Sequence, residues 1–109
     1  MTRTLVDTSV WVEYDRATGS PADDRLTTMI QRGDRVAVTE PVIMEVLAGA
    51  RTADRERKLR SLLASFELLP FDSIADFDGA VAVYRACRSH GVTPRGMVDC
   101  MIATVALRT

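Results

Sequence analysis

Residues 4–12 read TLVDTSVWV, and this stretch decides the fold class. Thr4–Val6 form a short apolar run that ends abruptly at Asp7. Thr8 and Ser9 are residue types that begin helices, and the apolar residues 10–12 follow them. The pattern predicts a buried strand that feeds directly into a helix, with an acidic residue at the junction.

Outward from this stretch, strands and helices continue to alternate. Further strands are predicted at 36–39 and 67–71. Helices are predicted to begin at Ser20–Pro21, Glu40–Pro41, Thr52, the capping pair Asp72–Ser73, and Met97, with His90–Gly91 ending the fifth and residues 93–96 forming a loop. This order indicates an α/β domain with a mostly parallel sheet, in which ligands gather at the carboxyl ends of the strands.

Composition places the chain among ordinary globular domains. It has 109 residues, of which 47% are hydrophobic and 27% charged, so one domain over 1–109 is expected. Asp7 comes too early for a secretory signal, and no apolar run approaches the roughly 18 residues that span a bilayer. Two cysteines are too few for a disulfide framework. We expect a cytoplasmic protein without a membrane anchor.

Charge gives only a local argument for a nucleic-acid partner. Fourteen basic and fifteen acidic residues leave a net charge of -1, so there is no global electrostatic case. Residues 51–60 concentrate five cations against two acids: Arg51, Arg55, Arg57, Lys58 and Arg60 against Asp54 and Glu56. This segment is either a basic face or, more commonly, a solvated helix face with salt bridges.

Three acidic residues stand where an apolar core is expected. Asp7 closes the first strand, Glu45 lies within the apolar run 42–47, and Asp99 lies within 97–102. An isolated ionised carboxylate in such surroundings is costly unless it is paired or holds a metal. Taken singly, Asp7 and Asp99 could be helix N-caps and Glu45 could pair with an arginine.

Taken together, the three acids point to a divalent cation. Strand-end and helix-start residues can converge on one crevice in this fold class, where like charges would repel each other unless a cation lay between them. Oxygen ligands select Mg²⁺ or Mn²⁺ over zinc. One or two such ions, about 4 Å apart, could activate a water and hold a phosphodiester, so no nucleophilic side chain is required.

Four segments, in this order, resemble the successive motifs of PIN-domain toxins of the VapC type. They are residues 7–14 (DTSVWVEY), 40–50 (EPVIMEVLAGA), 69–72 (LPFD) and 98–103 (VDCMIA). The resemblance covers essentially the whole chain and implies a PIN-like three-layer α/β/α sandwich with a mostly parallel central sheet. It also implies a Mg²⁺- or Mn²⁺-dependent endoribonuclease acting on structured RNA such as tRNA or rRNA.

The resemblance also implies partners and site residues. By position, Asp7, Glu45 and Asp99 would be the catalytic metal ligands, with the hydroxyl of Thr8 or Ser9 supporting Asp7. The implied partners are a VapB-type antitoxin and a second copy of the chain. For the homodimer, Trp11 and Tyr14 on the first helix are either contacts or simply core residues.

Cations and two further titratable residues complete the set of candidates. Arg95, in the loop before Asp99, either contacts RNA phosphate or is a solvated loop residue. Arg51 and Arg55 are the other RNA-binding candidates. Glu40 is interpreted as a helix-start residue, and His90 as a partner of a helix C-terminus rather than a general base.

The chain departs from the family pattern at its end. Family members typically continue through a further strand carrying a fourth acid, whereas this sequence ends at Thr109. We therefore expect an incomplete domain without the C-terminal strands, and the alternative function is a catalytically inactive PIN-like module for antitoxin binding or assembly. A receiver-like phosphoacceptor domain is a second alternative. It needs an acceptor Asp at a mid-chain strand end and a downstream lysine, and the chain has only Lys58.

Overall fold

The computed structural model describes residues 3–109. Strands and helices alternate through these residues in the predicted order. The elements are β1 Thr4–Leu5, α1 Thr8–Arg16, α2 Pro21–Gln31, β2 Val36–Val38, α3 Glu40–Ala48, α4 Ala53–Ala64, β3 Glu67–Leu68, α5 Asp76–Ser89 and α6 Met97–Arg108. No helix in this part of the chain is both long enough and apolar enough to span a bilayer.

The strands form a parallel sheet in the order β1-β2-β3. Thr4 lies opposite Val36, and Ala37 lies opposite Glu67. The strands are shorter than predicted, but pairing continues past them, because the backbone N–H groups of Val6 and Leu69 donate to Ala37 and Val38 at 3.2 and 2.8 Å. Proline follows at position 70 and has no N–H to extend the ladder. The three carboxyl ends therefore meet at one edge of the sheet.

Helices cover the sheet on both faces. Val36 and Val38 point to one face, where they pack with residues of α1, α2, α3 and α4 in the larger core cluster. Ala37 points to the other face and packs with Leu69 and with Val105 of α6. Successive side chains of a strand alternate between the two faces of a sheet. Each face of this sheet therefore packs against its own layer of helices. The predicted α/β/α sandwich with a parallel sheet is confirmed.

Trp11 belongs to the core. Its side chain is 1% exposed, and its ring packs edge-on against Phe66 with the ring centroids 4.9 Å apart. The indole Nε1–H donates to the carbonyl of Val6 at 3.2 Å, which satisfies the one polar group of a buried tryptophan. Of the two interpretations of Trp11, the core role is correct, and a dimer contact through this side chain is wrong.

The predicted start of the fifth helix is also wrong. Asp72–Ser73 does not cap it, and α5 begins at Asp76. The Asp72 carboxylate accepts instead from the N–H of Ile74 at 2.9 Å, and the Asp76 carboxylate accepts from the N–H of Asp72 at 2.7 Å. These side chains hold a separate turn before the helix, which is the usual way in which aspartate competes with a helix start.

The two C-terminal helices pack against each other in antiparallel fashion. Near the start of α5, Gly79 lies so close to Thr104 of α6 that a Cβ at residue 79 would meet the threonine Oγ1 at 2.1 Å. The buried carboxylate of Asp76 accepts from Arg108 Nε and Nη2 at 2.9 and 2.7 Å. The start of α5 is thereby fixed to the end of α6, and the start of α6 is left at the carboxyl edge of the sheet.

Candidate metal centre

Asp7 lies between the end of β1 and the start of α1. It is the N-cap of α1, and its Oδ1 accepts from the backbone N–H of Thr8 at 2.7 Å. Its Oδ2 accepts from the Ser9 hydroxyl at 3.2 Å. The capping role considered from the sequence is therefore present, yet the carboxylate remains exposed. Ser9 supports Asp7 as the resemblance implied.

Glu45 is brought to the same place by α3. Its neighbours Val42 and Val46 are buried, so the helix face that packs on the sheet also aims the half-buried Glu45 toward α1. The Thr8 hydroxyl donates to Glu45 Oε1 at 2.7 Å. This contact was not predicted, because the sequence assigned Thr8 to Asp7 and gives no sign of a bond between residues 37 positions apart.

Asp99 comes from the first turn of α6. Gly96 occupies the N-cap position with an extended backbone, so Asp99 stands three residues inside the helix and the interpretation of this residue as a cap is wrong. Its carboxylate is exposed. A negative charge in the first turn is favoured by the unpaired N–H groups of the helix start. Ile102 and Ala103 follow on the same face of the helix.

The three acids line one cavity of about 770 Å³ at the carboxyl edge of the sheet. It is walled by Asp7, Thr8, Ser9, Glu45, Arg95, Gly96, Met97, Val98, Asp99, Ile102 and Ala103. The apolar wall from α6 was not predicted, although Ile102 and Ala103 follow Asp99 at helical spacing. Three carboxylates and two hydroxyls thus face one space, with Arg95 as its one cation.

The donor set fits a hard divalent cation. Apart from Arg95, its polar side chains offer oxygen atoms, and no cysteine or histidine of residues 3–109 lines the cavity, so zinc is disfavoured. Among residues 3–109, no three acidic, histidine or cysteine side chains lie close enough together to coordinate one ion as they stand. The carboxylates therefore share a cleft without being gathered on one point, as expected of like charges that repel each other.

The predicted cations divide into one that lies at the cleft and two that do not. Arg95 lines the cavity, but Arg51 and Arg55 do not. Arg51 is exposed in the turn after α3. Arg55 forms an ion pair with Asp15, and both border a second, smaller cavity of about 190 Å³ between α1, α3 and α4. Glu45 borders this second cavity as well.

Glu40 and His90 lie outside the cleft, as predicted. Glu40 stands at the start of α3, and its carboxylate accepts from the N–H of Phe71 at 2.7 Å, which ties the loop after β3 to this helix. His90 follows α5, and its Nδ1 lies 2.9 Å from the carbonyl of Ala86. Each therefore has a structural role.

A receiver-like phosphoacceptor site is contradicted. The residues that follow β2 and β3 are Thr39 and Leu69, so no acceptor aspartate stands at those strand ends. Lys58, the one lysine of the chain, lies on α4 with its Nζ 3.2 Å from the carboxylate of Asp54. The acids of the cleft lack the partners that phosphoacceptor chemistry needs.

Comparison with known proteins agrees with the geometry. The PIN-domain family model matches residues 4–109. The chain is 41% identical over 105 residues to a protein named VapC ribonuclease Mb1587 from Mycobacterium bovis, and the match covers 95% of this chain and 78% of that protein. Identity and coverage are the same for ribonuclease VapC11 of Mycobacterium tuberculosis. The chain therefore belongs to the PIN-domain family and, within it, to the VapC ribonucleases.

Proposed function

We propose that this protein is the endoribonuclease toxin of a toxin-antitoxin system, hydrolysing phosphodiester bonds of structured RNA with Mg²⁺ or Mn²⁺. The observation that carries the proposal is the single cleft into which β1, α3 and α6 bring Asp7, Glu45 and Asp99. The three acids come from segments that are far apart in the sequence, and no common structural role explains why they line one cavity. Binding of a cation would explain it.

The acids would hold the metal by their carboxylate oxygens. Asp7 and Asp99 are exposed at the cleft, while Glu45 is half-buried and fixed through one oxygen by Thr8. The bound ion supplies a Lewis acid that polarises the phosphodiester and lowers the pKa of a water. We assign no direct nucleophile to the protein, because the hydroxyls of Thr8 and Ser9 donate to carboxylates.

Glu45 is the residue best placed to take the proton of the attacking water. Its Oε1 accepts from the Thr8 hydroxyl, which restricts the orientation of the carboxylate, and Oε2 would be the oxygen that takes the proton. Water would attack phosphorus and give its proton to the carboxylate, while the bond from phosphorus to the ribose oxygen breaks and that oxygen takes a proton from solvent. Arg95, across the cavity, would pair with a non-bridging phosphate oxygen.

The proposed biological setting follows from the family. VapC proteins are paired with VapB antitoxins, and we propose such a partner for this chain. We also propose a homodimer, for which the exposed apolar side chains of Phe77 and Val81 on α5 offer a surface. A cytoplasmic location is part of the same proposal, because tRNA and rRNA are found there.

Cleavage of total tRNA by the purified protein, with Mn²⁺, Mg²⁺ or EDTA, tests the proposal. We expect cutting with either metal, none with EDTA, and a loss of at least about 100-fold in Asp7→Asn, Glu45→Gln and Asp99→Asn. Glu40→Gln is the matched control, since this acid lies near the cleft but serves the loop after β3. If folded protein cuts nothing with either metal, the inactive antitoxin-binding module is the correct alternative.

A further inference from the structure

Three arginines stand at the end of α5 and in the loop that follows it: Arg85, Arg88 and Arg95. Within residues 3–109, the ion pairs use other cations. We propose that these three, here called the α5 arginine surface, bind the RNA backbone next to the cleft. The inference rests on the proposed function in taking RNA as the ligand.

Most cations of the segment 51–60 have a carboxylate partner. Arg57 and Lys58 lie 3.1 and 3.2 Å from the Asp54 carboxylate, and Arg60 lies 2.7 Å from Glu56. Arg55 is paired with Asp15. The electrostatic field of an ion pair is weak beyond the Debye length, which is about 8 Å at physiological salt. The segment 51–60 is thus a largely salt-bridged helix face, apart from Arg51, and is a weaker candidate for the RNA surface than arginines without a carboxylate partner.

Position connects the α5 arginine surface to the cleft. The N–H of Val92 donates to the carbonyl of Cys87 at 2.8 Å, so the loop folds back against the end of α5. Arg95 follows three residues later and so lies within roughly 11 Å of Val92 along the chain. Since Arg95 lines the cavity of the three acids, phosphates bound along this surface would lead directly to them.

Arg85 and Arg88 share one helix face and are exposed. The Arg88 guanidinium carbon lies 5.9 Å from the centroid of the Tyr84 ring, within reach of a cation–π contact. A guanidinium held against a ring keeps its N–H edge free, and that edge matches a phosphate in two-point geometry. Of the other arginines without an ion pair among the described residues, Arg16 lies on α1, Arg25 on α2 and Arg51 in the turn after α3.

Arg88 also has a simpler role to be tested, because a cation in the last turn stabilises the helix C-terminus. That role predicts a change in stability and none in RNA affinity. The experiment therefore compares Arg85→Gln/Arg88→Gln with Arg57→Gln/Arg60→Gln, which removes the same two charges from the salt-bridged face of α4. All variants carry Asp7→Asn, which prevents cleavage while labelled tRNA is titrated at several salt concentrations.

We expect the α5 double variant to bind tRNA about tenfold or more weakly, with a salt slope lower by about 1.5, because two phosphate contacts are lost. The α4 double variant should stay within twofold of its parent. Tyr84→Phe should keep the affinity, and Tyr84→Ala should lose part of it. Equal losses in both double variants, no loss in the α5 variant, or no RNA binding by the parent would overturn the proposal.

Two further readouts separate this proposal from others. If the α5 double variant changes the sedimentation coefficient but not the tRNA affinity, the arginines serve a protein interface and the proposal is wrong. If the affinity falls as expected while wild-type protein cleaves nothing, RNA binding by the α5 arginine surface is supported and the proposed nuclease function is contradicted. If cleavage is normal and KM is unchanged in the α5 double variant with Asp7 intact, the proposed nuclease function is supported and RNA binding by the α5 arginine surface is contradicted.

Discussion

At the scale of single residues, the hydroxyl of Thr8 has the most specific task. It joins the first turn of α1 to Glu45 on α3 at 2.7 Å, in a partly buried position next to the cleft. A hydrogen bond to a charged group restricts that group to one orientation. In the proposed mechanism, Thr8 is thus a positioning residue that acts through Glu45.

Thr8→Val removes this bond and keeps the shape of the side chain. We expect kcat/KM for tRNA to fall by about tenfold, near the lower end of what one hydrogen bond to a charged group contributes. The unfolding midpoint should change little, and Thr8→Ser should restore most of the activity. Cleavage by Thr8→Val at the wild-type rate would show that Glu45 needs no such support.

Asp76 is the second residue whose environment sets its chemistry. Hydrogen bonds from Arg108, together with the backbone N–H of Asp72, hold the pKa of its carboxyl below the ordinary value of 3.8, although burial acts in the opposite direction. A carboxyl with a lowered folded-state pKa stabilises the fold above its unfolded-state pKa. That contribution is lost as the pH falls from 3.8 through the folded-state value.

Asp76→Asn tests this linkage by urea unfolding at several pH values. At pH 7 the variant should unfold at a clearly lower urea concentration than the wild type, because Arg108 loses its anionic partner. Below pH 3.8 the two midpoints should approach each other, since protonation removes the same charge from the wild type. A constant difference between the midpoints from pH 7 to pH 2 would contradict the assignment. Asp78→Asn, which changes an exposed acid two residues further along α5, is the control.

At the scale of elements, the contact between α5 and α6 decides where Asp99 and Arg95 are held. Gly79 allows this contact, since a Cβ would come within 2.1 Å of Thr104 Oγ1 and 3.3 Å of its Cβ. Thr104 is buried, so it has little room to move away. The absence of a side chain at residue 79 therefore fixes the spacing of the two helices.

Gly79→Ala should destabilise the protein by about 1–3 kcal/mol through overpacking, although alanine is the better helix former by about 1 kcal/mol. Gly79→Ala/Thr104→Ala should recover part of the loss, because the clashing hydroxyl is gone. Gly49→Ala is the control: its nearest contact would be ordinary, at 3.5 Å from a carbonyl. Thermal unfolding measures all three. If Gly79→Ala is as stable as the wild type, the helices are not in such close contact.

At the scale of the whole molecule, the element order was predictable because its signals are local. Proline at the first turn of α2, Gly33 after it, and the apolar run ending at Asp7 each act on neighbouring residues. The start of α5 was not predictable in the same way. Asp72 looked like a cap, but Asp76 accepts its N–H and closes a turn, and this competition depends on the place of Asp76 against α6.

The candidate site was predictable in its acids and not in its contacts. Asp7 follows the first strand and so lies at the carboxyl edge of the sheet, and helical spacing directs Glu45 and Asp99 toward the same edge. The bond from Thr8 to Glu45 and the ion pair of Arg55 with Asp15 join residues 37 and 40 positions apart. Such partners depend on how helices are placed on the sheet, so the sequence could favour a salt-bridged face for the segment 51–60 without identifying Asp15 as the partner of Arg55.

If Asp7, Glu45 and Asp99 form one metal site, Mn²⁺ should stabilise the folded protein, and thermal unfolding measures this effect without any RNA. A ligand that binds only the folded state raises its stability in proportion to the logarithm of its concentration. Saturating Mn²⁺ should raise the Tm of the wild type by about 5 °C or more. Asp7→Asn, Glu45→Gln and Asp99→Asn should each lose most of that rise.

Asp24→Asn, an acid in the first turn of α2 and outside the cleft, serves as the control. It should keep the full rise in Tm. A rise that survives in all three cleft variants, or one that is lost only in Asp24→Asn, would contradict a metal site built from Asp7, Glu45 and Asp99.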